Sequence, residues 1–385
     1  MFLQVAQANP TEFQALQGLA RSSLFLGMVG EAQQYIAASL KVAPEQGDNH
    51  ALQGLIYEAQ GDLEKAADSL RKSVEFAGGS FLTQFNLGRV EAQLGRFEEA
   101  KLALLEATKI APDNYSAYYA LGIACKESDD YDNAIRSFNR ALELSPDNMD
   151  IYVTLVDILG MSGDGENAMK LLNVAMNRFG EHPALLEKAS GIAMAFGAFE
   201  EAAEFNEKLV EALPDYIQAW MNLANLSIMN KDLERSEQAA KQVLEIDPNY
   251  WEAYMHLGSL YDAVGMREKA REAYLKGIDI SPNYDLLNNF GSMLLEADDL
   301  ATREEGVEIL SEAVKLAPEG EWRGFYNLAL GYASLDKKAR ARELLATFKD
   351  QLDPESDLGQ KVQTLDQNLL SESDKIKLTI SQWKV

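Results

Sequence analysis

Four side chains of this 385-residue chain are of the types that hold metals or act in nucleophilic catalysis: His50, His182, His256 and Cys125. A metal site or a catalytic pair needs such residues at motif spacing, whereas these four are scattered along the sequence. The single cysteine excludes an internal disulfide and is predicted to be a buried, inert thiol. The phosphate-binding and dinucleotide-binding glycine loops and the Gly-x-Ser-x-Gly elbow are absent from the sequence. We therefore predict a protein that is not an enzyme and holds no metal or cofactor.

Paired carboxylates such as Glu98-Glu99 and Glu200-Glu201 have the chemistry of a general acid and base. An acidic residue, however, recurs every 34 residues: Glu64, Glu98, Asp132, Glu166, Glu200, Glu234 and Glu268. Such regularity predicts a structural role in the first turn of a helix, where the helix dipole favours negative charge.

The same 34-residue period governs the rest of the chain. Prolines stop each unit at Pro10, Pro44, Pro112, Pro146, Pro214, Pro248 and Pro282, with Gly78 and Gly180 in the two remaining places. Counting positions from unit starts at 13, 47, 81, 115, 149, 183, 217 and 251, position 20 is alanine in seven of eight units and position 15 is usually glycine. The pattern predicts two helices per unit, the first ending in a left-handed glycine cap and the second stopped by proline. The fold class is therefore all-α, an α-solenoid.

The unit resembles the tetratricopeptide repeat. The unit starting at 115 carries the motif residues Tyr118, Leu121, Gly122, Ala134, Phe138, Ala141 and Pro146. The units starting at 149 and 183 match less well and predict a local irregularity. The resemblance implies a right-handed superhelix of about ten helix-turn-helix units.

The domain organisation follows from this register. Residues 1–12, with Leu3, Val5 and Ala6, are predicted to be part of a preceding repeat or an N-terminal cap. The repeat array covers 13–354, with two further units starting near 284 and 322, the first having a lengthened connection from Glu296 to Arg303. Residues 355–385 are predicted to form a capping helix, with Leu358, Val362, Leu365 and Leu369 on one face, and a tail.

In tetratricopeptide arrays, positions 2, 5, 6, 9, 12 and 13 of the first helices line a concave groove. In the last four units, positions 5, 6 and 9 combine amides and hydroxyls with methionine and tyrosine, as an extended peptide requires. The resemblance thus gives a candidate peptide-binding set: Met221, Asn222, Asn225, Met255, His256, Ser259, Asn288, Asn289, Ser292, Tyr326 and Asn327. A secondary candidate surface is Phe85, Asn86, Arg89 and Tyr119.

Net charge narrows the class of partner. The chain carries 35 Lys and Arg against 61 Asp and Glu, a formal charge of −26, and the acidity is spread along its length. The negative charge would repel nucleic acid and anionic membranes, so we expect a protein or peptide partner. That partner would be basic if the electric field of the protein contributes to its binding. No segment is apolar enough for direct membrane insertion. A cytoplasmic location is expected, with the periplasm or another compartment open if a signal has been removed, and exposed end repeats would permit self-association.

The function predicted from these observations is a non-enzymatic scaffold that holds a protein segment in the groove of a repeat superhelix. The alternative is the recognition arm of a larger enzyme, or of a membrane or secretion assembly, with its functional domain outside this chain. Repeats attached to O-linked sugar transferases show asparagines at position 6, which here covers only Asn86, Asn222, Asn289 and Asn327.

Overall fold

A computed structural model of the chain describes residues 12–370, which form 21 α-helices and one short 3₁₀ turn, Lys349–Gln351, with no strand among them. The predicted all-α class is confirmed. The N-terminal half-repeat and the tail Ser371–Val385 lie outside the described residues. The helices are α1 Phe13–Phe25, α2 Val29–Val42, α3 Gly47–Ala59, α4 Leu63–Ala77, α5 Phe81–Gln93, α6 Phe97–Ile110, α7 Tyr115–Glu127, α8 Tyr131–Leu144, α9 Met149–Met161, α10 Gly165–Phe179, α11 Pro183–Ala195, α12 Phe199–Ala212, α13 Ile217–Met229, α14 Leu233–Ile246, α15 Trp251–Ala263, α16 Arg267–Ile280, α17 Tyr284–Leu295, α18 Leu300–Ala313, α19 Arg323–Ser334, α20 Lys338–Phe348 and α21 Asp357–Leu370.

Each of the eight in-register units begins a first helix at its first residue, and position 15 ends that helix as the sequence predicts. The six glycines at this position have φ between 73° and 81°. Asp129 and Lys231, the two exceptions, adopt φ of 58° and 62°, so the turn keeps its left-handed geometry without glycine. Backbone N–H groups beyond the turn bond back into the helix, as in Asp62 N–H to the Tyr57 carbonyl at 2.9 Å.

The repeated acids lie at the starts of the second helices. All seven acidic residues at position 18 lie in the first turn of a second helix. Two positions earlier, aspartates such as Asp62, Asp130 and Asp232 cap the helix by accepting a backbone N–H. Both placements satisfy or stabilise the unpaired N–H groups at the helix N-terminus.

Small residues at position 8 let the two helices of a unit touch. A Cβ atom on Gly122 would lie 2.6 Å from the ring of Phe138, and one on Gly258 would lie 2.7 Å from the ring of Tyr274. Phe138 and Tyr274 both occupy position 24 and are almost fully buried. The position 20 alanines, such as Ala134, are completely buried beside this contact. The packing between helices therefore depends on the missing side chain at position 8.

The described chain forms two compact units, one ending at Ile192 and the other starting at Ala193, within α11. Buried side chains between successive hairpins fill the first, as in the cluster of Ala20, Ala32, Ile36, Leu52 and Ile56. The second contains clusters of the same kind, such as Leu295, Val307, Leu310 and Leu328. The boundary falls in the unit starting at 183, one of the two that match the repeat pattern poorly.

Two features near the C-terminus refine the sequence interpretation. The connection that was predicted to run from Glu296 to Arg303 is lengthened by only one residue. It consists of residues 296–299, four against three in the in-register units, because α18 begins at Leu300 with Asp299 as its N-cap. The inward-facing residues of α18 are displaced, so that Leu310 packs on Gly291. Helix α21 then buries Val362, Leu365 and Leu369 in a cluster with Phe348 of α20.

Two further expectations concern Cys125 and membranes. Cys125 is buried, and burial raises the pKa of its thiol to about 11, so it stays protonated and unreactive near neutral pH. Within residues 12–370, no helix has both the length and the apolar content needed to cross a bilayer.

Replacing Gly122 by leucine tests the close contact inside the hairpin. The new side chain would overlap the ring of Phe138, and we expect a loss of about 1 to 3 kcal/mol of stability by overpacking, measured by urea or thermal unfolding. Gly61 provides the control, because no atom lies within 4 Å of its missing Cβ and its φ is +81°. Gly61→Val should therefore destabilise through backbone strain, whereas Gly61→Asn should be tolerated, as Asp129 is at the same position. A fully stable Gly122→Leu variant would contradict this packing.

Candidate functional site

A cavity of about 410 Å³ lies in the first of the two compact units, the one that ends at Ile192. It lies against the first helices of the repeats that start at 81, 115 and 149. Three of its twelve lining residues are aromatic. Of these, Phe85 stacks on Phe81 with ring centroids 5.6 Å apart, and Tyr119 meets Phe138 edge-on at 5.3 Å. Tyr115, 39% exposed, completes the aromatic wall. These packed rings present apolar surface with few rotatable bonds, which suits the recognition of a bound chain.

Three of the four residues in the secondary candidate set line this cavity: Phe85, Arg89 and Tyr119. Arg89 is held by an ion pair with Glu58 of α3, at 2.7 Å between the guanidinium and the carboxylate. The fourth residue, Asn86, is half-buried and is not part of the lining. The structure thus gathers most of a surface that the sequence alone defined only through the repeat register.

A second cavity, of about 490 Å³, lies in the second unit against α13, α15 and α17. Seven members of the main candidate set line it: Met221, Asn225, Met255, His256, Ser259, Asn288 and Asn289. Thioethers, amides, a hydroxyl and an imidazole therefore meet in one depression of the surface. Its volume is within the range of about 300 to 1,000 Å³ that is usual for ligand sites.

Asn327, a member of the main candidate set, does not present its side chain to the surface. That residue is 0% exposed, and its Nδ2 donates to Asn288 Oδ1 and to Ser292 Oγ, both at 3.0 Å. Buried amides adopt such internal partners because an unpaired polar group away from water is costly. Ser292 is 1% exposed and Tyr326 2% exposed, so neither presents its side chain to the surface.

Asn222 is also directed elsewhere. Its Nδ2 donates to Oδ1 of Asn206 at 3.4 Å, and its Oδ1 accepts from Gln218. Asn206 is fully buried at a position that is normally apolar, where its Nδ2 donates to the Ala202 carbonyl at 2.7 Å. The irregular asparagine of one unit thus explains the orientation of the asparagine in the next.

His256 is at the base of the second cavity and is only 4% exposed. Its Nε2 lies 2.7 Å from the hydroxyl of Ser236, which itself donates to the Ala224 carbonyl at 2.9 Å. Ser236 replaces the alanine found at position 20 in the other seven in-register units. Burial lowers the pKa of the His256 imidazole to about 4, so the ring is neutral near pH 7.

Residues at position 2 were overlooked, although the repeat resemblance already assigned that position to the groove. Gln218, Glu252, Asp285 and Arg323 each occupy it in their unit, and all four line the second cavity. Arg323 is paired with Glu321 through two contacts, Nε to Oε1 at 2.8 Å and a terminal nitrogen to Oε2 at 2.7 Å. The repeat register predicts these four residues as well, because position 2 is one of the groove positions of the repeat.

The other histidines have structural partners. His50 is buried with its Nε2 2.7 Å from the Pro44 carbonyl oxygen, and His182 Nδ1 accepts the Ala184 N–H at 3.3 Å. Over residues 12–370, no group of three or more His, Cys, Asp or Glu side chains is arranged to hold a metal ion.

We expect Asn327 and its neighbour Asn289 to respond differently to alanine. Asn327→Ala removes the donor shared by Asn288 and Ser292 and should cost about 1 to 3 kcal/mol of stability. Asn289→Ala, at a half-buried position in the cavity lining, should change stability by only about 0.5 kcal/mol. Thermal and urea unfolding compare the two, and equal losses would contradict the difference in their roles.

The depressed pKa of His256 predicts a pH dependence of stability. An unfolded chain would protonate this imidazole near pH 6.5, whereas the folded protein resists protonation until about pH 4. The free energy of unfolding therefore includes the full contribution of the neutral ring above pH 6.5. It decreases by about 3 kcal/mol in total as the pH falls from 6.5 toward 4. NMR titration should show one histidine with this low pKa, and its signal should be missing in His256→Gln. A pKa near 6.5 for all three histidines would contradict the buried geometry.

Several solved structures are similar to this chain. Among solved structures, yeast Tom70 is 13% identical, with 93% of this chain and 95% of that chain covered and a TM-score of 0.47. Pseudomonas aeruginosa pilF is 19% identical, with 56% and 97% covered and a TM-score of 0.43. The structure of Naa15/Naa10 bound to HypK-THB gives 14% identity, 96% and 64% coverage and a TM-score of 0.43. At these identities the likeness concerns the fold alone.

Family models identify the sequence more directly, although no curated protein sequence matches the chain. Three models, each described as tetratricopeptide repeat, match residues 18–80 and 85–149, 127–188 and 193–249, and 252–284. These segments cover more than half of the chain. The chain therefore belongs to the tetratricopeptide repeat family.

Proposed function

We propose that this protein is an interaction scaffold whose first helices hold an extended segment of a partner protein. The observation that carries the proposal is that two cavities, one in each compact unit, are each lined by first-helix residues from consecutive repeats. A chain lying across such a cavity would contact several repeats at once, so its affinity would come from many modest contacts. The tetratricopeptide repeats support an interaction role, and the family models indicate no catalytic family.

The two cavities offer different chemistry to a bound segment. In the first unit, the rings of Phe85, Tyr115 and Tyr119 supply an apolar and aromatic wall suited to hydrophobic side chains. In the second, Met221 and Met255 supply adaptable apolar surface beside the amides of Asn225 and Asn289. The amide side chains can donate hydrogen bonds to the C=O groups and accept them from the N–H groups of an extended backbone.

Charge supports a basic segment as the partner. The formal charge of −26 produces a negative field around the protein that attracts cations and repels nucleic acid. Steering of this kind acts mainly on the association rate and weakens as salt is added. Association should therefore be faster at low ionic strength, with a smaller effect on dissociation.

Selection from a display library of random 12-residue peptides, with the full chain immobilised, tests the proposal. We expect enriched peptide families whose binding is measured by fluorescence polarisation. Tyr115→Ala should weaken peptides bound in the first unit, and Met255→Ala those bound in the second, each by about tenfold if the side chain is a central contact.

A matched control comes from outside both cavities. Leu102 is 68% exposed on α6 and lines neither cavity, so Leu102→Ala should leave every peptide affinity unchanged. Circular dichroism verifies that each variant keeps its helical content. The proposal fails if no peptide family is enriched, or if the cavity variants bind as tightly as the parent and the control.

A further inference from the structure

The second cavity contains two carboxylates that are not in ion-pair contact. Glu252 and Asp285 line it, and neither forms an ion pair within the described residues, although the charge of Asp285 interacts with that of Arg323. The one guanidinium in the lining, that of Arg323, is already engaged by both oxygens of Glu321. The cavity is thus locally negative, and both carboxylates would form charge-assisted hydrogen bonds with a positively charged group bound there.

His256 adds an independent feature that points to a donor-rich ligand. Its imidazole is 96% shielded from solvent, lines the cavity, and has a partner within the described chain only at Nε2. The Ser236 hydroxyl has one proton, which it donates to the Ala224 carbonyl, so the serine oxygen accepts from His256. The ring proton is therefore on Nε2, and Nδ1 carries a lone pair that no described residue uses.

Asn288 shows the same incomplete use of a buried polar group. It is 7% exposed, its Oδ1 accepts from Asn327, and its Nδ2 donates to no described residue. Asn327 thus fixes the amide so that the NH₂ group is the free end at the cavity. That donor is suited to a carbonyl oxygen of a bound backbone, whereas the carboxylates and His256 Nδ1 are suited to side-chain donors.

These observations rest on the proposed capture of a protein segment, and they specify one of its side chains. We infer that the second cavity receives an arginine of the bound segment, with Glu252 and Asp285 as charge partners and His256 Nδ1 as a further acceptor. The guanidinium has five N–H donors in a planar fork and can serve several acceptors at once. Met221, Met255 and Tyr250, also in the lining, suit the apolar stem and the flat face of an arginine side chain.

Titration of the full chain with N-acetyl-arginine amide, followed by NMR of the His256 ring, tests the inference directly. We expect a saturable shift of the His256 signals at millimolar probe concentration. N-acetyl-citrulline amide, which has nearly the same shape and no charge, should bind at least about tenfold more weakly because the charge-assisted hydrogen bonds are lost. Glu252→Gln combined with Asp285→Asn should weaken the arginine probe to a similar extent.

A second double variant separates the local site from the overall field. Asp279→Asn with Glu308→Gln makes the same change in net charge at two exposed positions on α16 and α18, outside the cavity. This control should bind the arginine probe like the parent protein. Equal weakening by both double variants, equal binding of the citrulline probe, or an unperturbed His256 would overturn the inference.

The outcome is distinguishable from failure of the proposed function. If library peptides bind the second unit without enrichment of arginine and the arginine probe does not shift His256, the scaffold function stands and the arginine site is rejected. If the arginine probe binds but no library peptide does, the local site stands and segment capture is rejected.

Discussion

The close approach of the two helices within each repeat is the contact on which the rest of the structure depends. It occurs where position 8 lacks a bulky side chain, so that the position 24 side chain, such as Phe138 or Tyr274, packs directly against the backbone of the first helix. Completely buried alanines at position 20 allow the same proximity on the neighbouring turn. Because a hairpin packed in this way still exposes apolar surface on its flanks, it is stable only when another hairpin or a closing helix covers that surface.

This arrangement leaves the first helices free to carry function. Positions 8, 20 and 24 are fixed by packing, while position 2 at the start of each first helix has no such constraint. The same position is therefore a serine at 116 and an aspartate at 150 in the first cavity, and glutamine, glutamate, aspartate and arginine in the second. Variation at a repeated, unconstrained position changes the chemistry of the surface without changing the fold.

In the second compact unit, buried polar side chains occur where the sequence departs from the repeat pattern. Ser236 replaces an alanine and bonds His256, while Asn206 replaces an apolar residue and bonds Asn222. Each substitution places a polar atom in a dry environment, where it must find a partner, and that partner is the position 6 side chain of the following unit. Asn222 and His256 are consequently oriented by the preceding repeat, which is why position 6 does not form an exposed row.

The sequence by itself determined the helical class, the 34-residue unit, the left-handed caps and the family, because local backbone geometry and the close contact at Gly122 restrict residue type at fixed spacing. Through the register it also located seven of the twelve residues that line the second cavity, but only three of the twelve that line the first. The position 2 residues of the second cavity could have been located in the same way. Only the tertiary structure decided which polar side chains face a cavity. Asn327 and Asn289 share one repeat position, yet Asn327 is fully buried and bonded to Asn288 whereas Asn289 lines the cavity. Their difference depends on neighbouring helices that are distant in sequence, and periodicity within a single helix carries no information about those partners.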